Sequence, residues 1–170
     1  MWWMVGVVAL VVLLATYLTW TATRVDRLHA RAASAARSLD AHLVRRAAAA
    51  AVLAEERLVT ELYAAARIAL DTGADEREAA ENDLTRQLRA VPLPAGEPAA
   101  DSVVAASRRL ALARQVHTDV VRDTLSARGR PLVRLLRLGR RHEQPAYFEI
   151  DDPTLAVVRP SLAAPTPAPD

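Results

Sequence analysis

The chain contains no cysteine. That excludes a disulfide framework, a thiolate metal site and a cysteine nucleophile, and leaves the compartment open. Lysine is missing too, so all 22 basic residues are arginine. A selected arginine surface points to phosphate or carboxylate recognition. A GC-rich coding bias accounts for abundant alanine, abundant arginine and absent lysine together, and is the simpler explanation. Aromatic residues make up only 4% of the chain and there are five glycines. Sheets want aromatic and β-branched faces, whereas alanine-rich segments favour helices that approach closely. No glycine loop is present to cradle a phosphate. Ser34, Ser38, Ser107 and Ser126 lack nucleophile-elbow surroundings.

Metal chemistry lacks its usual spacing as well. His29, His42, His117 and His142 pair with no second histidine or carboxylate at helical ligand distance. Four residues after His42 comes Arg46, and four after His117 comes Val121. His117 falls on an apolar seam, where a packed histidine is the ordinary case. Asp119 and Asp123 share a helical face with Arg122 beside them, which reads as a solvated ion-pair face. No catalytic residue, cofactor or metal is therefore expected. The competing expectation is a membrane-tethered enzyme whose site is assembled between helices.

Charge is absent from Met1 through Thr21. Trp2 and Trp3 open this stretch, Tyr17 and Trp20 close it, and Val5 to Leu14 is almost wholly aliphatic. A helix from Trp2 to Trp20 rises ~28 Å, close to the ~30 Å hydrocarbon core of a bilayer. Indole and phenol rings favour the headgroup boundary. A cleaved signal peptide wants a basic leader and a small-residue exit; no base precedes the run, and bulky Trp20 sits at its exit. A retained anchor contacting the bilayer through residues 2–20 is expected. Arg24, Arg27, Arg31 and Arg37 follow it, so the positive-inside tendency places the body in the cytoplasm.

Beyond the anchor about 150 residues remain, enough for one modest core. From Arg24 to about Leu70 there is neither proline nor glycine. Small or apolar residues recur there at Val25, Leu28, Ala32, Ala35, Leu39, Leu43, Ala47, Ala50 and Ala54. Steps of three and four predict one long helix with a narrow, alanine-rich seam, stopped by Thr72-Gly73. Asp75-Glu76-Arg77-Glu78 reads as a capped helix start. That helix should run to about Val91, burying Ala80, Leu84, Leu88 and Val91. Pro92 to Pro98 form a loop. Asp101-Ser102 should cap the next helix, with a seam of Val103, Ala106, Leu110, Ala113, His117 and Val120, ended by Gly129 and Pro131. Short loops favour antiparallel neighbours.

Several segments then resemble the LemA family. Leu39 to Arg46 places an acidic residue five positions before a paired base on the first helix after the membrane, as that family does. Ala64-Ala65-Ala66-Arg67 resembles its small-residue-plus-Arg step, and Glu81-Asn82-Asp83-Leu84 with Gln87-Leu88 resembles its next helix. Leu112 to Asp123 is the best match, and Pro145-Ala146-Tyr147-Phe148-Glu149 is similar to its C-terminal signature. These fall in the family's order over roughly residues 5 to 150. Where the family usually carries a Leu-Ile-Pro-Asn-like step, this chain has Ala47 to Ala51, and His117-Thr118 replaces a Tyr-Asn pair. The resemblance implies a divergent, membrane-anchored antiparallel helical bundle of a family without an agreed enzymatic activity.

One surface is strongly biased. Arg128, Arg130, Arg134, Arg137, Arg140 and Arg141 occur with no acid between Asp123 and Glu143, interleaved with leucine and valine. Such a basic amphipathic stretch suits anionic lipid; aromatic stacking groups for nucleic acid are missing. The acidic run Asp71, Asp75, Glu76, Glu78, Glu81 and Asp83 is its matching surface within the chain. Three helices running out, back and out would leave residues 128–141 remote from the bilayer, near that acidic turn, so internal docking is favoured over lipid contact.

Taken together, the expectation is an all-α chain: an N-terminal transmembrane helix followed by an antiparallel bundle of three to four long helices. Residues 1–22 form the anchor, 23–150 the LemA-like bundle with its basic segment, and 151–170 a disordered Pro/Ala-rich tail. The body would serve protein–protein interaction or membrane organisation. An unidentified protein partner and a homo-oligomer are expected partners, and nucleic acid is not.

Overall fold

A computed structural model describes residues 1–129, 133 and 144–157 of the chain. The fold is all-α, and the described residues form a bundle of four helices: α1 (Trp2–Arg57), α2 (Thr60–Asp71), α3 (Arg77–Ala90) and α4 (Pro98–Arg128). A 3₁₀ turn, Ala74–Glu76, leads into α3. No β-strand occurs among the described residues.

The predicted long helix is interrupted. α1 ends at Arg57, and Leu58 takes φ +56° before the chain reverses into α2. The Leu58 N–H donates to the Glu55 carbonyl at 3.3 Å and the Val59 N–H to the Ala54 carbonyl at 2.9 Å. These are the two bonds of a Schellman end, with leucine where glycine is usual. Val59 packs against the buried cluster that contains Ala54, supplying the apolar contact that accompanies this ending. With neither glycine nor proline at the reversal, composition gave no sign of it.

The chain divides into two compact units. One comprises residues 1–39 with 113–148, the other residues 40–112 with 149–170. In the second unit the alanine seam is realised. Ala47, Ala50 and Ala54 of α1, Ala65, Ala66 and Ala69 of α2, and Ala80 of α3 are buried around Leu53, Leu62, Leu84 and Leu88. Methyl side chains let helices approach closely, while the leucines fill the remaining volume. α2 packs on α3. Asp40 meets Arg77 and Arg46 meets Glu81, so α1 and α3 advance in the same direction.

Two expected helix starts differ in detail. Glu76 precedes α3 with no side-chain cap bond, because the 3₁₀ turn already satisfies part of the entrance. α4 begins at Pro98 rather than at Asp101, since proline suits a first helical position where no N–H is needed. Asp101 reaches back to accept the N–H of Gly96, whose φ is +88°. Along α4, Val103, Leu110 and His117 are buried as the seam predicts, but Val121 takes the place of Val120.

The sequence-based tail boundary at residue 151 is corrected by packing. Ile150, Pro153 and Leu155 are buried. Polar groups of α3 hold the intervening backbone: Glu78 accepts the N–H of Glu149 at 2.9 Å, Asn82 that of Asp151 at 2.8 Å, and Arg89 donates to the Asp152 carbonyl at 2.6 Å. Residues 158–170, which include the stretch from Pro160 onward, lie outside the described residues.

Candidate membrane anchor and flanking polar clusters

The first third of α1 is apolar on every side, and its most apolar window is wholly uncovered by the rest of the chain. Trp2 is 94% exposed. By length and composition this is the one candidate membrane-spanning helix among the described residues. Thr16, Thr19, Thr21 and Thr23 each donate their hydroxyl to the carbonyl four residues back. Back-bonding of this kind hides hydroxyls that would otherwise need water. Tyr17 and Trp20 lie with ring centroids 6.3 Å apart, and the Arg24 guanidinium stands 5.6 Å from the Trp20 ring centre.

Past Trp20 the first unit closes around α1. Val25, His29, Ala32 and Leu39 are buried, as are His117, Val121 and Thr124 on α4. The Thr124 hydroxyl lies 2.8 Å from the Val120 carbonyl and 3.4 Å from that of Leu28. The His29 Nδ1 lies 2.9 Å from the Val25 carbonyl, and Nε2 lies 3.1 Å from Arg128 Nη1. In the tautomer protonated at Nδ1, this ring donates to its own helix and accepts from Arg128. Arg128, first residue of the basic segment, therefore sits beside α1 only nine residues beyond Trp20. That corrects the expected position remote from the anchor; the reversal at Leu58 adds a helix and changes the direction of return. The acidic run of residues 71–83 belongs to the other unit. Arg130, Arg134, Arg137, Arg140 and Arg141 lie outside the described residues.

The second unit carries a polar cluster that the sequence reading did not single out. Val25, Ala32, Leu39, Arg46 and Leu53 recur every seven residues and all are buried, so Arg46 occupies a core position of the seam. Its guanidinium meets Glu81 Oε2 at 3.2 Å and Thr85 Oγ1 at 2.7 Å. Thr85 in turn donates to the Glu81 carbonyl at 2.8 Å. Arg46 and Glu81 side chains are both 0% exposed. Arg46 Nε and Glu81 Oε1 make no hydrogen bond, so the pair is held at one point rather than as a fork. Burial pushes Glu81 up to about 7, against the attraction of Arg46 and Arg77. Arg77 Nη1 stands 3.3 Å from Asp40 Oδ1 at the more exposed edge. The seven-residue spacing was the available signal for Arg46; the paired-base motif obscured it.

A forked pair closes the far end of α1. Arg57 Nε donates to Glu97 Oε1 at 3.0 Å, and its Nη groups reach Glu97 Oε2 and the Pro92 carbonyl. This hydrogen-bonded guanidinium holds the Glu97 carboxyl below the usual carboxylate range. His117 is buried with Nδ1 unbonded, and burial holds its ring below the usual histidine range. Asp119 forms an exposed pair with Arg122 at 3.4 Å. Among the described residues no three metal-ligating side chains converge. No family model matches the chain, and neither a curated protein nor a solved structure matches it.

Proposed function

We propose that this chain is a single-pass membrane protein whose helical body, on the cytoplasmic side, serves protein–protein interaction or membrane organisation and catalyses no reaction. The observation that carries the reading is the contrast along α1. Its apolar head is exposed on every face, whereas the same helix later contributes a tightly packed seam. An aqueous protein would bear a large cost for that head, at ~25 cal/mol per Å2 of apolar surface, and a bilayer removes it. The buried Arg46–Glu81 pair is no candidate catalytic site, because a cluster with no exposed side-chain surface offers a substrate no approach. Kinship with the LemA family belongs to the same proposal. It rests on the order of the quoted segments, three of which fall on α2, α3 and α4 respectively.

The absence of cysteine makes the test direct. Single substitutions Met4→Cys and Ser38→Cys, probed in intact cells with a membrane-impermeant maleimide, should label at neither site or at residue 4 alone. Labelling at residue 38 would put the body outside. Release of the whole chain by alkaline carbonate would remove the anchor altogether. For the body, affinity capture of the anchored protein from its own membrane should retain a specific companion or a second copy, lost on substituting exposed body residues while helicity is unchanged.

A further inference from the structure

In the first unit, a cavity of about 390 Å3 is lined by Trp20, Arg24, Arg27, Leu28, Arg31 and Asp123. That volume falls within the ~300–1,000 Å3 of small-molecule sites. Trp20, Arg24, Arg27 and Arg31 are spaced by four, three and four residues, which sets them on one face of α1. Three guanidiniums against the single carboxylate of Asp123 leave the lining cationic. Among the described residues none of the three arginines forms an ion pair with a carboxylate, and Arg24 stands against the Trp20 ring.

The height of this cavity identifies its ligand. With Trp2 to Trp20 filling the hydrocarbon, Arg24 lies ~6 Å and Arg27 ~10 Å further along the axis. The headgroup layer occupies ~5–7 Å on each side of the core. Side chains on a helix lean toward its N-terminus, so all three arginine arms tilt back toward that layer. Guanidiniums bind phosphate oxygens in a planar, two-pronged fashion. Leu28 and the indole supply apolar wall for a glyceryl group. The Trp20 face, the group best suited to a choline cation, is already covered by Arg24.

We infer that this cavity binds the headgroup of an anionic phospholipid, with Arg24 and Arg27 holding the phosphodiester at the membrane surface and Arg31, further along the helix, adding positive potential above them. The inference rests on the membrane-anchored reading. It makes α1 a lipid-selective anchor rather than a plain one.

The test uses the full chain with Trp2→Phe and Trp3→Phe, which leaves Trp20 as the sole tryptophan. The protein is reconstituted in phosphatidylcholine vesicles containing a minor share of either brominated phosphatidylglycerol or brominated phosphatidylcholine, and Trp20 quenching is compared. Phosphatidylglycerol is expected to quench with an apparent association constant about fivefold or more higher, the scale of one basic contact at the surface. Arg24→Gln/Arg27→Gln/Arg31→Gln should bring the ratio close to one, whereas Arg108→Gln/Arg109→Gln, on an exposed part of α4, should leave it unchanged. Equal quenching by both lipids overturns the headgroup site while leaving the anchor intact. Quenching by neither overturns the anchor and the site together. Loss of the preference in the Arg108/Arg109 control shows general charge attraction and overturns the site. Erasure of the preference by soluble glycerol phosphate at matched concentration assigns the cavity to free phosphate instead.

Discussion

Arg46 and Glu81 are an unequal couple. A carboxyl stripped of its partner can take up a proton, but a guanidinium cannot release one in a protein. Glu81→Leu should therefore destabilise more, by about 3–5 kcal/mol for an unpaired buried cation, than Arg46→Met. The double variant Arg46→Met/Glu81→Leu should recover most of the loss, since a one-point buried pair repays its desolvation poorly. Thermal unfolding followed by circular dichroism in detergent measures all three; equal costs for the two single variants would contradict the asymmetry. The same carboxyl sets a pH slope. Its folded value of about 7 lies above the ordinary 4.5, so between them the folded chain keeps a proton that the unfolded chain has released. The contribution of Glu81 to stability is then fully present below about 4.5 and declines as pH climbs toward 7. Glu81→Gln should flatten that decline despite a lower midpoint throughout, and an unchanged slope would remove Glu81 as its cause.

At the scale of elements, the end of α1 is informative because it uses the wrong residue well. A left-handed leucine costs ~1–2 kcal/mol, and Leu58 is 89% exposed, so its side chain returns little by burial. Leu58→Gly should raise stability by about 1 kcal/mol, partly offset by greater freedom of the unfolded chain. A calorimetric scan reads this as a higher melting temperature, and a lower one would mean that the leucine makes contacts of its own. This reversal also marks where the sequence stopped being legible. Helix type, the alanine seam of α1, the α3 core of Ala80, Leu84 and Leu88, and the proline loop all followed from period and punctuation. The break did not, since residues 56–60 contain neither glycine nor proline and the left-handed turn falls on a leucine. From that one omission followed the misplaced direction of α4 and of Arg128. Arg46, by contrast, was readable: counting sevens from Val25 reaches it.

For the whole molecule, the segment after residue 148 matters more than its composition suggested. Ile150, Pro153 and Leu155 alternate with polar residues, a pattern easily mistaken for linker. Leu155 belongs to the same buried cluster as Leu53, Leu62 and Leu88. Leu155→Ala should cost about 2–3 kcal/mol, and hydrogen exchange should quicken along α3, whose Glu78, Asn82 and Arg89 hold that backbone. Unaltered exchange would show the segment to be a passive trailer. The cationic cavity beside Trp20 was legible as residues, since four arginines were noted after the anchor. It was not legible as a site, because Asp123 joins them only through the fold.

The order in which the ribosome delivers these parts differs from the order in which they can fit. The apolar head of α1 emerges first, while the residues that complete the second unit arrive piecemeal. The last of them, Leu155, appears on the order of ten seconds later at ordinary translation speeds. During that interval the alanine-lined seam of α1 lacks part of its cover. The core that holds Leu53 is thus sealed from the far side of the sequence, by Leu155.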